Sequence, residues 1–447
     1  MDREFMEIKD GRLHFDGCDL KVLAAEFGTP LYVYSQNVMK QRFAELREAF
    51  MEGHPKNRVA YAAKAFCCTA MLKLAEKEGM CIDVVSGGEL YTAIKAGFPA
   101  ERIEFNGNNK TREELEMAVD YGIGRIIIDG MTELERLEEI CAEKQRKMQV
   151  LFRITPGVKA DSHDFIVTGK KDSKFGIPLD DDIILPYVKK AIDSPWVDFL
   201  GLHFHVGSQL FDNAAHLAAF DIALALADKI YDAFGCRIQE FNLGGGFGIQ
   251  YTDEVKKPYS YFLDPLMKKA EEYAAQRGIE LPALVIEPGR SIVGEAGLTL
   301  YTVGETKDIP GVRNYAAVDG GMFENVRPAL YGAKYAAFVA DDAAAQGSAA
   351  DASGCTDAPA AKTVTICGKC CESGDIIIRD INLPQLKAGD ILFTPSTGAY
   401  GYSMASNYNR NRVPGVVFVA DGKAEWAVKP QSYQDLTAND VIPASLA

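Results

Sequence analysis

Histidine is scarce in this chain, with six in 447 residues, and basic charge is outnumbered: 48 Lys and Arg stand against 63 Asp and Glu, a formal net charge of −15. That balance excludes broad nucleic-acid binding, which depends on accumulated lysine and arginine, and leaves any anionic ligand to a few placed basic groups. Long apolar runs are missing too. No segment approaches the ~20 residues that cross a bilayer, and "MDREFMEIKDGRLHF" has neither a basic start followed by an apolar stretch nor an Arg-rich amphipathic pattern. The expectation is a cytoplasmic enzyme without a membrane partner. Ten cysteines in such a chain read as free thiols, not as a disulfide framework. Cys367 and Cys370 form a CxxC, but the other close pairs, Cys67/Cys68 and Cys370/Cys371, are adjacent and poorly spaced to close a zinc tetrahedron, so no metal is expected.

What is present is ordinary globular composition, 47% apolar and 25% charged, over a length that suggests two or three domains. Eight β-type runs recur between Arg58 and Gly289: "RVAYAAKA", "MCIDVVS", "RIEFNG", "GRIIIDG", "QVLFRITPG", "FLGLHFHVG", "IQEFNLGGG" and "PALVIEPG". Segments such as "TAMLKLAEKEG" and "TREELEMAVDYG" between them carry apolar residues at helical spacing and end in Gly. This alternation predicts a closed (β/α)8 TIM-type barrel over residues 36–296. A doubly wound open sheet would place a glycine-rich turn after an early strand, whereas "GGG" follows the seventh. After Gly297 the texture turns to short strands punctuated by Gly, Asp and Pro, predicting a C-terminal mostly β domain over 297–447. "FMEIKDGRLHF" reads as a hairpin around Asp10 and Gly11, with residues 1–35 joining that domain. Residues 341–362 are Ala-rich, of low complexity, and read as a flexible insertion.

In a β/α barrel the chemistry sits at the C-terminal ends of the strands. Lys64, Asp83, Asn106, Asp129, Arg153, His205, Gly244 to Gly246 and Glu287 all fall there on this reading. Lys64 has two readings, an amine that snorkels to water or a Schiff-base lysine tuned by a confined site. "LGGGFGI" offers either a tight turn or a backbone that a phosphate can approach closely. "EPGR" places Glu287 where a carboxylate could pair with a pyridinium nitrogen, with Arg290 near to fork onto a carboxylate or phosphate; a structural ion pair is the alternative. In "HFHVGSQ" the HxH spacing lacks a further strand-end histidine to complete a metal site, and an imidazole stacked on an aromatic cofactor, with Ser208 reaching its phosphate, needs fewer assumptions. "CCESGD" sets Cys371 beside Glu372, and "TGAYGYSMASNYNRNR" is too polar and glycine-rich for a core strand, which suggests a binding loop with Tyr400 as its contact residue.

Taken in order, "YAAKAF", "DVVSGGEL", "HFHVGSQ", "LGGGFGI", "EPGRSIV", "RPALYGA", "CCESGD" and "GAYGYSMASNYN" span Tyr61 to Asn409. Together they resemble the diaminopimelate decarboxylase family, pyridoxal-phosphate enzymes of the alanine-racemase-like fold type III. The resemblance implies that Lys64 holds pyridoxal 5′-phosphate as a Schiff base and His205 stacks on its ring. Asp83, Ser208, Gly244, Gly245, Gly246, Gly289, Arg290 and Tyr400 complete the cofactor site, and Glu287 keeps the pyridine nitrogen protonated. It also implies that Arg290, Arg327, Tyr331, Glu372 and Tyr400 bind the substrate, meso-diaminopimelate, and that Cys371 is the proton donor. A homodimer with shared active sites is implied in the same way, with lysine and carbon dioxide as products. Many members carry Asn two residues after the lysine; here that position is Phe66, in "AFCC", and no role is transferred to it.

Overall fold

The computed structural model describes residues 5–158, 173–340 and 362–446. Nearly all of the Ala-rich stretch, and His163, lie outside these residues. The chain divides into two compact units, one of residues 40–249 and 255–291, the other of 1–39, 250–254 and 292–447.

The first unit is a closed barrel of eight parallel strands: β1 (Arg58–Ala62), β2 (Cys81–Val84), β3 (Ile103–Phe105), β4 (Arg125–Ile128), β5 (Met148–Arg153), β6 (Val197–His203), β7 (Glu240–Asn242) and β8 (Ala283–Ile286). These are the eight runs picked out by pattern. β8 closes the barrel on β1 through Val285↔Arg58 and Ile286↔Val59. Most strand residues are buried, as they must be with side chains facing a packed interior on one side and helices on the other. The helices start and stop where local chemistry dictates. Helix α1 (Arg112–Tyr121) opens with a reciprocal capping box between Thr111 and Glu114 and ends at Gly122 in the left-handed region, φ 76°. Such a cap contributes about 1 kcal/mol.

In the second unit, Met6–Lys9 and Arg12–Phe15 form the expected hairpin, with Asp10 and Gly11 both at positive φ in its two-residue turn. Cys18–Asp19 extends it to a three-stranded sheet. The unit's main sheet is organised by the long strand Gly297–Ile309, which pairs antiparallel with Leu31–Ser35, Arg313–Val318 and Ile391–Pro395. Leu31–Ser35 in turn pairs parallel with Gly415–Ala420. Phe15, Leu20 and Leu23 join Leu31, Val33, Leu298, Leu300 and Val417 in one apolar cluster, which fastens the N-terminal segment to this sheet.

Candidate active site

Lys64 follows β1 in a short 3-10 turn, Ala63–Ala65, braced by the bond from Tyr61 Oη to the Phe66 carbonyl (2.8 Å). Ala62 N–H donates to the Pro288 carbonyl (3.0 Å), so the turn carrying Lys64 is tied to the loop carrying Glu287. Lys64 Nζ lies 3.7 Å from Oδ2 of Asp83, which is fully buried. Burial, then the charge on Glu287, pushes the Asp83 carboxyl up to about 8, with the Lys64 ammonium pulling the other way.

Glu287 sits at the centre of a buried fan of donors. Its Oε1 accepts from Asn106 Nδ2 (2.9 Å) and Asn242 Nδ2 (2.9 Å) and contacts His203 Nε2 (3.0 Å). Among the described residues no hydrogen bond falls on Oε2. Burial alone would protonate this carboxyl, but His203, and then the Lys64 charge, outweigh burial and hold it far below the usual carboxylate range. Glu287 is therefore an ionised carboxylate in a water-poor site with one oxygen left open. His205 stays neutral: burial first, with Lys64 and Arg153 adding to it, drives its imidazole well below the ordinary value.

Two of the three amides in the glycine run are engaged within the barrel unit. Gly244 N–H is donated to Asn242 Oδ1 (3.0 Å) and Gly245 N–H to His205 Nδ1 (3.3 Å). Only Gly246, the half-buried member, has an amide with no partner among the described residues. The glycines are needed for packing as well: a Cβ on Gly245 would stand 2.1 Å from the Glu287 carbonyl oxygen, and one on Gly246 would stand 2.3 Å from that of Gly207. Ser208 Oγ accepts from Arg290 Nε (3.2 Å) and Nη2 (3.0 Å), leaving its own hydrogen to donate. Gly289 packs on Ala62 and Ala65, where a Cβ would meet both at 3.0 Å. Lys64, Asp83, His205, Ser208, the glycine run, Glu287, Gly289 and Arg290 thus all belong to the barrel unit.

The other predicted residues belong to the β unit. Arg327, buried, donates to the hydroxyls of Tyr251 (3.1 Å) and Tyr335, and its guanidinium lies 4.9 and 5.6 Å from their ring centroids. Two aromatic rings therefore orient the fork, while Tyr331, expected to bind substrate, lies at the C-terminal end of the short helix Arg327–Tyr331. Cys371 and Glu372 are exposed on a turn held by two side chains. Asn409 Oδ1 accepts from Cys371 N (2.7 Å), and the buried Asp375 accepts from Cys370 N (2.7 Å) and Met322 N (2.6 Å). Tyr400 is held at φ 60°, a conformation a bulky residue adopts only where its surroundings impose it.

Residues 37–294 match the family model for pyridoxal-dependent decarboxylases, pyridoxal binding domain. The diaminopimelate decarboxylase of Bacillus subtilis (strain 168) is 48% identical over 96% of this chain and 95% of its own. That of Bacillus methanolicus is 46% identical, covering 94% of each. The crystal structure of M. jannaschii diaminopimelate decarboxylase in co-complex with L-lysine superposes with a TM-score of 0.90 at 34% identity, covering 100% of this chain and 99% of that one. The chain belongs to the diaminopimelate decarboxylase family.

The barrel mouth fits the cofactor of this family on its own chemistry. Pyridoxal phosphate offers an aldehyde, a basic pyridine nitrogen, a flat ring and a phosphate. Facing these, the barrel unit holds an amine on Lys64, an ionised Glu287 with a free oxygen, and the His205 ring. The Gly246 amide, Ser208 hydroxyl and Arg290 guanidinium supply donors for an anion. Sequence reasoning missed His203 as the partner of Glu287, Asn242 as its second donor, and Tyr251 and Tyr335 around Arg327. The HxH spacing marks His203, since alternate strand residues share a face. Asn242 stands immediately before "LGGG", but nothing local marks Tyr251 or Tyr335.

Proposed function

We propose that the chain decarboxylates meso-2,6-diaminopimelate to L-lysine and carbon dioxide, the last step of lysine biosynthesis by that route. The observation that carries this reading is the buried Glu287 carboxylate, held ionised with Oε2 open. A neutral or fully bonded group there could not keep a pyridine nitrogen protonated. When bound, pyridoxal phosphate supplies the electron sink for the pair left by departing carbon dioxide.

The chain's own residues do the rest. Lys64 holds the cofactor between turnovers, His205 lies against its ring, and Gly246, Ser208 and Arg290 take its phosphate. Arg327, oriented by Tyr251 and Tyr335, forks onto the carboxylate of the end that does not react, with Tyr331 beside it, while Glu372 takes that end's ammonium. A diamine end, lacking a carboxylate, would leave Arg327 buried without its anion, which disfavours simpler diamino acids. Cys371 delivers a proton to the carbon that has lost its carboxylate, and Tyr400 borders cofactor and substrate. The enzyme works in the cytoplasm as a homodimer with two shared sites, the Cys371 turn of each subunit serving its partner's site. Among the described residues no helix is long and apolar enough to cross a membrane.

Turnover in deuterium oxide tests the proton step. One deuterium per lysine, at the carbon that lost the carboxylate, is expected, because a thiol exchanges its hydrogen with solvent. Lysine without deuterium there would exclude an exchangeable donor such as Cys371.

A further inference from the structure

Inside the barrel, below its mouth, runs a column of buried and half-buried polar groups that the chemistry above leaves unused. Arg58 on β1 lies 2.7 Å from Glu240 on β7 and 3.7 Å from Glu104 on β3, and Arg125 on β4 lies 3.1 Å from Glu240. Glu104 and Glu240 are each 2% exposed. Barrel interiors of this kind are ordinarily filled by branched apolar side chains, and buried ions are weak contributors to stability, so packing alone does not account for the column. Its upper end is Asn242, which has no exposed surface and stands two residues after Glu240, on the same face of β7.

The orientation of the Asn242 amide is decided by its neighbours. A backbone N–H can only donate, so the 3.0 Å contact from Gly244 N places Oδ1 toward the glycine turn. The NH₂ group then faces the two carboxylates and donates to Glu287 Oε1 (2.9 Å) and Glu104 Oε2 (2.8 Å). One side chain thereby joins three parts: the first glycine of the turn, the Glu287 carboxylate, and the charged column beneath. Gly244 itself sits at φ 69°, and a Cβ there would stand 2.5 Å from the Phe204 carbonyl oxygen, so the turn has little slack of its own.

We propose that Asn242 is a positioning residue that sets both ends of the cofactor site at once, the Glu287 end through its NH₂ group and the glycine-turn end through its carbonyl oxygen. The inference rests on the assignment of the barrel mouth as the pyridoxal-phosphate site. It explains why an amide is required: it alone offers an acceptor to the turn and donors to two carboxylates. Asn106, the other amide on Glu287, donates to Glu287 and to Asp83 Oδ1 (2.7 Å) but makes no bond to the glycine turn.

The test uses the full chain and its Asn242→Ala, Asn242→Asp and Asn106→Ala variants, with folding checked by circular dichroism. Two quantities are read for each: the ratio of affinities for pyridoxal phosphate and for pyridoxal, which lacks the phosphate, and the pH midpoint of the bound cofactor's visible absorbance. Asn242→Ala is expected to shrink the affinity ratio about tenfold, as the loss of one well-placed bond to the turn would, and to displace the midpoint. Asn242→Asp keeps the acceptor for Gly244 but cannot donate, so it should hold the ratio within about twofold while displacing the midpoint by about half a pH unit or more. Asn106→Ala should move the midpoint only. A folded Asn242→Ala protein that matches the wild type in either quantity overturns the two-ended role. Failure of the wild-type chain to bind pyridoxal phosphate would instead overturn the site assignment and the inference with it.

Discussion

Gly245→Ala is a demanding perturbation because it adds one methyl group at a point where the backbone cannot yield. The Gly245 peptide is pinned on both sides, its N–H to His205 Nδ1 at 3.3 Å and its carbonyl to His216 Nε2 at 2.9 Å. A Cβ there would stand 2.1 Å from the Glu287 carbonyl oxygen and 2.8 Å from its carbon. Ordinary carbon–oxygen contacts are ~3.3 Å or more, so the glycine turn and the Glu287 loop would have to part by roughly an ångström. Overpacking of this kind costs ~1–3 kcal/mol. Falling on the cofactor site, that becomes a loss of roughly 5- to 150-fold in affinity for pyridoxal phosphate, measurable by titrating the apoenzyme and following visible absorbance. Decarboxylation at saturating cofactor should fall as well, because Glu287 moves with its own carbonyl. Gly88→Ala is the control: its Cβ would meet only Ser86 Oγ, at 3.7 Å, in the first turn of the helix Gly87–Lys95, where alanine is the better helix former. A Gly245→Ala protein that binds pyridoxal phosphate within twofold of wild type would refute the packing argument.

Other substitutions probe the remaining groups. Lys64→Ala should abolish both turnover and the visible band of covalently held cofactor, seen by spectrophotometry of the purified protein. Cys371→Ala should keep that band while lowering kcat about 10²- to 10⁴-fold, the usual contribution of a placed general acid. Arg327→Lys replaces a fork by a point charge between two tyrosine rings and should raise KM for diaminopimelate by about tenfold or more with kcat less affected. Stability should also depend on pH in a defined direction. Burial, then the Glu240 charge, lifts the Glu104 carboxyl to about 8, so the folded apoprotein holds a proton that the unfolded chain has released. That contribution is fully present below the ordinary carboxylate range and is lost as pH rises through about 8. Thermal melts of the apoprotein should therefore show a midpoint falling across this window, and Glu104→Gln should flatten the fall.

Local pattern carried the barrel because residues that a buried strand would otherwise exclude stand at or beside strand ends: Arg153 ends β5, Asp83 is next to last in β2, and Lys64 and Glu287 follow β1 and β8, so polar groups converge by the geometry of the closed sheet. What local pattern could not carry was the identity of partners distant in sequence. Tyr251 directly follows the barrel's glycine segment, yet residues 250–254 belong to the β unit, where Tyr251 meets Arg327. The glycine run read as a tight turn or a phosphate approach, and its pattern could not show that two of its amides are engaged by Asn242 and His205, whose approach depends on how β6 and β7 end side by side. Glu104 and Glu240 stand far from Arg58 in sequence, and only closure of the barrel brings them against it.

The most direct measurement is of substrate choice. The purified chain with pyridoxal phosphate is incubated separately with meso-diaminopimelate, ornithine, arginine, D-lysine and carboxynorspermidine, and carbon dioxide and the amine product are quantified. Equimolar carbon dioxide and L-lysine from diaminopimelate alone is the predicted result. Release of carbon dioxide from one of the other substrates in its place would contradict the assignment of Arg327 and Glu372 to the far end, and no release from any would contradict the proposed activity.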